Sequence, residues 1–132
     1  MVKKNACVFI SGQGTNLKKL IQNSFKYNFP IKIALVISDN KSAKGLTYAK
    51  RMAIPFIIIK KDKLSEIKIL CEMRKKKISL ICLAGYMKII SKKFINNFRN
   101  KIINIHPSLL PKFKGLNTFN RVLKNNEKKT GC

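Results

Sequence analysis

Five short runs rich in Val, Ile and Leu recur along the chain, at Ala6–Ser11, Ile31–Ser38, Pro55–Ile59, Ile78–Ala84 and Lys101–Ile105. Their hydrophobicity is near-continuous rather than alternating, which is the pattern of strands covered on both faces. Between them lie polar stretches with apolar residues at helical spacing. Asn16–Phe25 carries Leu17, Leu20, Ile21 and Phe25 on one face, and Ala43–Met52 opens after Ser42 and ends before Pro55. Leu64–Lys76 sets Leu64, Ile67, Leu70 and Cys71 at helical spacing, and Ser91–Phe98 starts on a serine able to cap its first turn. Strands alternating with helices predict an α/β fold: a Rossmann-like, mostly parallel sheet with helices on both faces and right-handed crossovers. No repeat or Pro/Ser/Gly-rich linker divides the chain, so residues 1–132 read as belonging to one domain.

Composition supports a globular core, with 45% of the 132 residues hydrophobic. Runs such as AIPFIII and ISLICLAGYM fall well short of the roughly 20 residues that span a bilayer, so no membrane association is expected. Lys3 and Lys4 before Ala6–Ile10 have the outline of a secretory leader. The run is shorter than the roughly 7–15 residues of such a core and breaks into SGQGTN with no cleavage site, so a buried first strand is the expectation. The cysteines are Cys7, Cys71, Cys82 and Cys132. They form no CxxC pair and no histidine stands at ligand spacing, so neither metal nor disulfide is expected, and the expected compartment is the reducing cytoplasm. Cys7 and Cys82, inside apolar runs, should behave as small hydrophobes.

Charge widens the field, with 29 Lys+Arg against 5 Asp+Glu and a formal net charge of +24. A polyanion partner is one reading. The basic residues are nevertheless spread over the whole chain and do not interleave with aromatics in one patch. Solvated lysine-rich faces are the expectation, and nucleic acid is not an expected partner.

In a parallel α/β sheet, chemistry sits outside the carboxyl ends of the strands. Ser11–Asn16, SGQGTN, follows the first strand and opens a helix, where glycines admit an anion to the backbone N–H groups. A dinucleotide fingerprint would need a third glycine where Leu17 stands; Asp39 does occupy the place of a ribose-binding acid. Phosphate binding without a dinucleotide fits the spacing better, and a plain tight turn is the simpler alternative. Leu83–Ile90, LAGYMKII, either lines an apolar slot for a flat ligand or packs the strand end into the next helix. Asn104 and His106, the only histidine, lie two apart at a strand's end. They are expected to share one face, with Ile105 turned to the core and Pro107 ending the strand. An amide and an imidazole together are a plausible reacting pair, although a lone histidine is more often structural.

The stretch NIHPSLLPKFKG, Asn104–Gly115, resembles the signature of the folate-dependent formyltransferases, in particular the branch of purine synthesis that formylates 5-phosphoribosylglycinamide. ISGQGTNL is similar to that branch's ISGxGSNL loop, VISDNKSAKGLTYAKRMAIP to its SNxxxAxGLxxAxxxGIP segment, LAGYMKIIS to LAGFMRILS, and KGLNT loosely to PGxxT. The likeness is collinear over nearly the whole chain. It implies a formyltransferase fold and a soluble enzyme using 10-formyltetrahydrofolate, without metal. It implies that Gly14, Thr15 and Asn16 hold the substrate phosphate, that Met87, Lys88, Ile89 and Ile90 line the folate site, and that Asn104 and His106 are catalytic.

Departures from that pattern shape the expectation. The family's third catalytic residue is an aspartate of a DxG segment, about a dozen residues beyond Cys132 in the family pattern. Glu127 is the only carboxylate after Glu72 here, and Phe119 stands where a histidine is often found. The expectation is therefore an N-terminal part of a single formyltransferase domain, with the C-terminal strands missing and little activity of its own. Methionyl-tRNA formyltransferase shares the NxHxSLLP core but continues with an RGAAP-like segment. Formyltetrahydrofolate hydrolase carries a second histidine where Pro107 stands. A basic, non-enzymatic nucleic-acid-binding module is the alternative of another class.

Overall fold

The computed structural model describes residues 2–60 and 63–131. Cys132 and the side chain of Leu64, both used in the sequence reading, lie outside what is described. The strands are β1 (Lys4–Ile10), β2 (Ile31–Ser38), β3 (Phe56–Ile58), β4 (Ile78–Leu83) and β5 (Lys101–Asn104). They pair in the order β3-β2-β1-β4-β5, and every pairing is parallel. The helices are α1 (Thr15–Ser24), α2 (Gly45–Arg51), α3 (Lys63–Lys75), α4 (Lys92–Asn97) and α5 (Thr118–Lys124).

Strand alternation sorts β1 between two cores. Ala6, Val8 and Ile10 pack with Leu17 and Ile21 of α1 and Leu46 and Ala49 of α2. Cys7 and Phe9 point the other way, into Ile69 and Met73 of α3 and Phe94 and Phe98 at α4. The near-continuous run in β1 thus arises because both faces are covered, as the sequence predicts. Ser91 caps α4 by accepting the Phe94 N–H at 3.0 Å, and its hydroxyl donates to Glu66 Oε2 at 3.0 Å, which ties α4 to α3.

Several expectations need correction. Phe25 does not extend the buried face of α1: the helix ends at Ser24, and Phe25, its C-cap, is 66% exposed. In α3 the apolar stripe is wide enough to hold two interlaced rows. The sheet takes the Ile69–Met73 row, one turn apart, so Ile67 and Cys71 face solvent. Helix α5 was not among the periodic stretches. Ile105 does not face the core. Regular pairing stops at Asn104, the strand lies at the sheet edge, and Ile103 and Ile105 are 52% and 66% exposed.

Candidate active site

The chain runs from β1 outward to β2 and β3, then returns to β4 on the other side of β1. This reversal opens a crevice at the carboxyl ends of β1 and β4, the usual ligand position in such sheets. The register sets Phe9 beside Leu83 and Leu83 beside Asn104, so the segments after β1, β4 and β5 emerge side by side. Side chains then fasten the loops together. Met87 N–H donates to Ser11 Oγ at 2.8 Å, joining the loop after β4 to the loop after β1. The Asn40 amide donates to the Ser11 carbonyl at 3.1 Å, adding the loop after β2.

Gly14 is buried, with φ 72°, and lies against Gly45 at the start of α2. A Cβ on Gly14 would overlap the Gly45 Cα, and one on Gly45 would lie 2.7 Å from Ile10 Cδ1. Gly45 N–H also donates to the Gly12 carbonyl at 3.0 Å. Gly14 is thus required by backbone contact as well as by turn geometry. Lys18 N–H reaches back to the Gly14 carbonyl at 2.8 Å, so the amides of Thr15, Asn16 and Leu17 precede the first α1 bond. Thr15 and Asn16 are exposed, and no acid occupies that first turn. The arrangement suits an anion. Lys18 is not free over that turn: its ammonium lies 5.6 Å from the Tyr48 ring centroid.

The segment after β4 divides. Met87 and Ile89 are 65% and 81% exposed, whereas Ile90 is half-buried and packs against the Cys7–Phe9 core. Lys88, Ile89 and Ile90 share a groove of about 790 Å³ with Phe9, Tyr86 and Phe94; Met87 is outside that lining. Tyr86 stands edge-on to Phe9, with ring centroids 5.2 Å apart. Burial, then the charges of Asp39 and Glu66, push its hydroxyl up to about 12. Lys88 Nζ is 3.9 Å from Asp39 Oδ2, while the buried Asp39 Oδ1 has no hydrogen-bond partner among the described residues. The acid considered for a ribose is therefore turned toward the lysine of the groove.

Asn104 is exposed at the end of β5, and His106 is half-buried beyond it. Ladder pairing ends at Asn104, so His106 lies two residues beyond the strand. His106 Nε2 lies 3.0 Å from the Phe113 carbonyl. Among the described residues no carboxylate is bonded to the imidazole, and Glu127 pairs with Lys112 at 2.9 Å. Ser11, Asn40 and Gly45 were missed by the sequence reading as site-building residues. Their roles are contacts between loops 29 to 76 residues apart, which no local spacing reports.

A family model described as formyl transferase matches residues 4–132. The phosphoribosylglycinamide formyltransferase of Haemophilus influenzae is 41% identical, over 97% of this chain and 63% of its own length. The human trifunctional purine biosynthetic protein adenosine-3 is 38% identical, over 98% of this chain and 13% of its own. In structure, the phosphoribosylglycinamide formyltransferase of Anaplasma phagocytophilum superposes with a TM-score of 0.83 at 39% identity, over 95% of this chain and 60% of its own. The Brucella melitensis protein of the same name also gives 0.83 at 39%, over 94% and 67%. The chain thus spans a little under two thirds of the Haemophilus protein's length.

Proposed function

The chain belongs to the formyl transferase family, and on that premise we propose that it forms part of an enzyme transferring a formyl group from 10-formyltetrahydrofolate to the amine of 5-phosphoribosylglycinamide. The observation carrying this reading is the Met87–Ser11 hydrogen bond at the β1/β4 crevice, which ties the loop leading into the anion-suited start of α1 to the loop carrying Met87–Ile90. In this reading the amides of Gly14, Thr15 and Asn16 take the phosphate. Met87 and Ile89 supply exposed apolar surface to the flat ring of the folate, with Lys88 and Ile90 beside them. Both substrates are small molecules, no metal takes part, and the reaction belongs to the cytoplasm.

Asn104 and His106 serve the reacting centre. The substrate amine attacks the formyl carbon, and the carbonyl electron pair moves to oxygen. A side-chain amide and a protonated imidazole stabilise that oxyanion if they are fixed beforehand. On collapse the C=O bond reforms and the bond to N10 breaks. N10 takes a proton that the amine has given up, directly or through His106 or a water molecule. No covalent enzyme intermediate is required. Among the described residues no carboxylate meets the imidazole, and with the ring oriented by a carbonyl alone turnover should stay below about 1 per second, the lower end of ordinary enzymes.

Calorimetry tests the reading. Saturable binding of 5-phosphoribosylglycinamide is expected, with the exposed Asn16 side-chain amide adding one charge-assisted hydrogen bond of roughly 1.5–3 kcal/mol to those of the backbone, so that Asn16→Ala weakens binding at least about tenfold. Absence of saturable binding, or equal affinity in the variant, would overturn the phosphate assignment. Gly14 variants are unsuitable here, because the clash with Gly45 disturbs the fold itself.

A further inference from the structure

We infer that the loop after β5, buttressed by α5, sets the tautomer of His106: the Phe113 carbonyl takes the Nε2–H and leaves Nδ1 as the basic ring nitrogen. The catalytic consequence rests on the proposed function; the tautomer itself does not. A carbonyl oxygen carries no proton, so the 3.0 Å contact forms a hydrogen bond only with Nε2 donating.

The loop fixes that carbonyl by side-chain hydrogen bonds to its neighbours and by one longer bond to the carbonyl itself. The hydroxyl of Ser108, 2% exposed, donates to the Lys112 carbonyl at 2.6 Å. Arg121 Nη1 donates to the Lys114 carbonyl. The hydroxyl of Thr118, 5% exposed, donates to the Gly115 carbonyl at 3.1 Å and, in a longer second branch at 3.5 Å, to the Phe113 carbonyl, whose other lone pair faces the imidazole. Carbonyls 112, 114 and 115 are each held by a side chain, and the one between them is presented to the imidazole. Phe113 itself has φ 54°, in the left-handed region. A non-glycine residue there is strained and persists only where its surroundings determine it. The Arg121 guanidinium, 5.7 Å from the Phe113 ring centroid, is part of that setting. Two of the three clamps come from α5, so Thr118 and Arg121 are positioning residues for His106.

For the proposed reaction this selects the nitrogen. The ring starts neutral; Nδ1 accepts the proton released by the attacking amine, and the imidazolium so formed is the protonated imidazole that faces the oxyanion, keeping its Nε2–H on Phe113. Nδ1 then returns the proton to N10 as the C–N10 bond breaks, leaving the ring as it began.

His106 is the only histidine, so long-range ¹H–¹⁵N correlation spectra of the uniformly labelled chain, recorded with the ring neutral, read it directly. The nitrogen coupled to both ring C–H protons is Nε2. It should resonate as a protonated nitrogen and Nδ1 as an unprotonated one. The reverse pattern, or two averaged shifts, would overturn the inference without touching the phosphate assignment. In the double variant Thr118→Val, Arg121→Ala the two shifts should move toward averaging, while Thr118→Ser keeps the parent pattern. A folded double variant, judged by its amide spectrum, with an unchanged tautomer would show that α5 does not position the ring.

Discussion

The two halves of the candidate site are held by different forces. Around the crevice of β1 and β4, Ala6, Cys7, Val8 and Ile10 are fully buried, and the loops leave a core sealed on both faces. Around β5 and α5, Leu109, Leu110, Phe119 and Leu123 are all more than half exposed, yet the loop carrying His106 is pinned carbonyl by carbonyl. Hydrophobic burial fixes the strands from which the proposed phosphate and folate segments emerge, with two hydrogen bonds through Ser11 joining their loops, whereas hydrogen bonds to backbone carbonyls alone position the histidine loop. Substitutions in the first half should be read in global stability. Those in the second should be read in the geometry of one side chain.

The largest effect is expected from Gly14→Val. It combines a β-branched residue at φ 72° with overlap on the Gly45 backbone, so urea denaturation should show a loss of about 3 kcal/mol or more. Near-parental stability would mean that the α1–α2 junction is not close-packed. Next comes a pair on neighbouring strands. Ile81→Ala, at a fully buried position, should lose roughly 2–5 kcal/mol. Ile103→Ala, on the exposed edge, should stay nearer about 0.5–1 kcal/mol. Equal losses would erase the contrast between the halves.

The same contrast separates what the sequence makes legible from what it hides. Apolar runs with both faces covered leave a continuous signal, so β1, β2 and their order with the helices can be read directly. At β5 the run IINI looks similar but lies on an edge, and a run of apolar letters does not say whether anything covers it. Ile105 was misplaced for that reason. SGQGTN and NIHPSLLPKFKG are legible as local motifs, because turn chemistry and a lone histidine stand out from a lysine-rich background. The contacts that make them a site are long-range, from Met87 to Ser11 and from Gly45 to Gly14, and local spacing does not report them. Helix α5 escaped because its buried positions, Thr118 and Val122, form too narrow a stripe to register as a periodic pattern.

A smaller effect sharpens the comparison. Ile103→Lys should leave the unfolding free energy within about 1 kcal/mol, since the side chain is half in solvent, and should reduce self-association at high concentration, as charges do on open strand edges. Sedimentation velocity checks this, and unchanged association would place the contact surface elsewhere.

The pH response should be the smallest effect and should come from the sealed half. Burial raises the Cys7 thiol well above its ordinary value, and Tyr86 sits at about 12 against 10. Both are acids raised on folding, so over the window between unfolded and folded values the folded state holds more protons than the unfolded one. Their contribution is intact below the unfolded values and is lost as pH rises through about 9–12. Denaturation midpoints across that window should fall. A rise would contradict the burial of these groups.

The most direct test of the convergent site is an amide chemical-shift map of the ¹⁵N-labelled chain titrated with 5-phosphoribosylglycinamide. Saturable shifts should centre on Gly14–Leu17 and extend across the strand ends to Met87 and Asn104–His106. Shifts confined to scattered lysine-rich surfaces, or centred away from the carboxyl ends of β1, β4 and β5, would contradict the site described here.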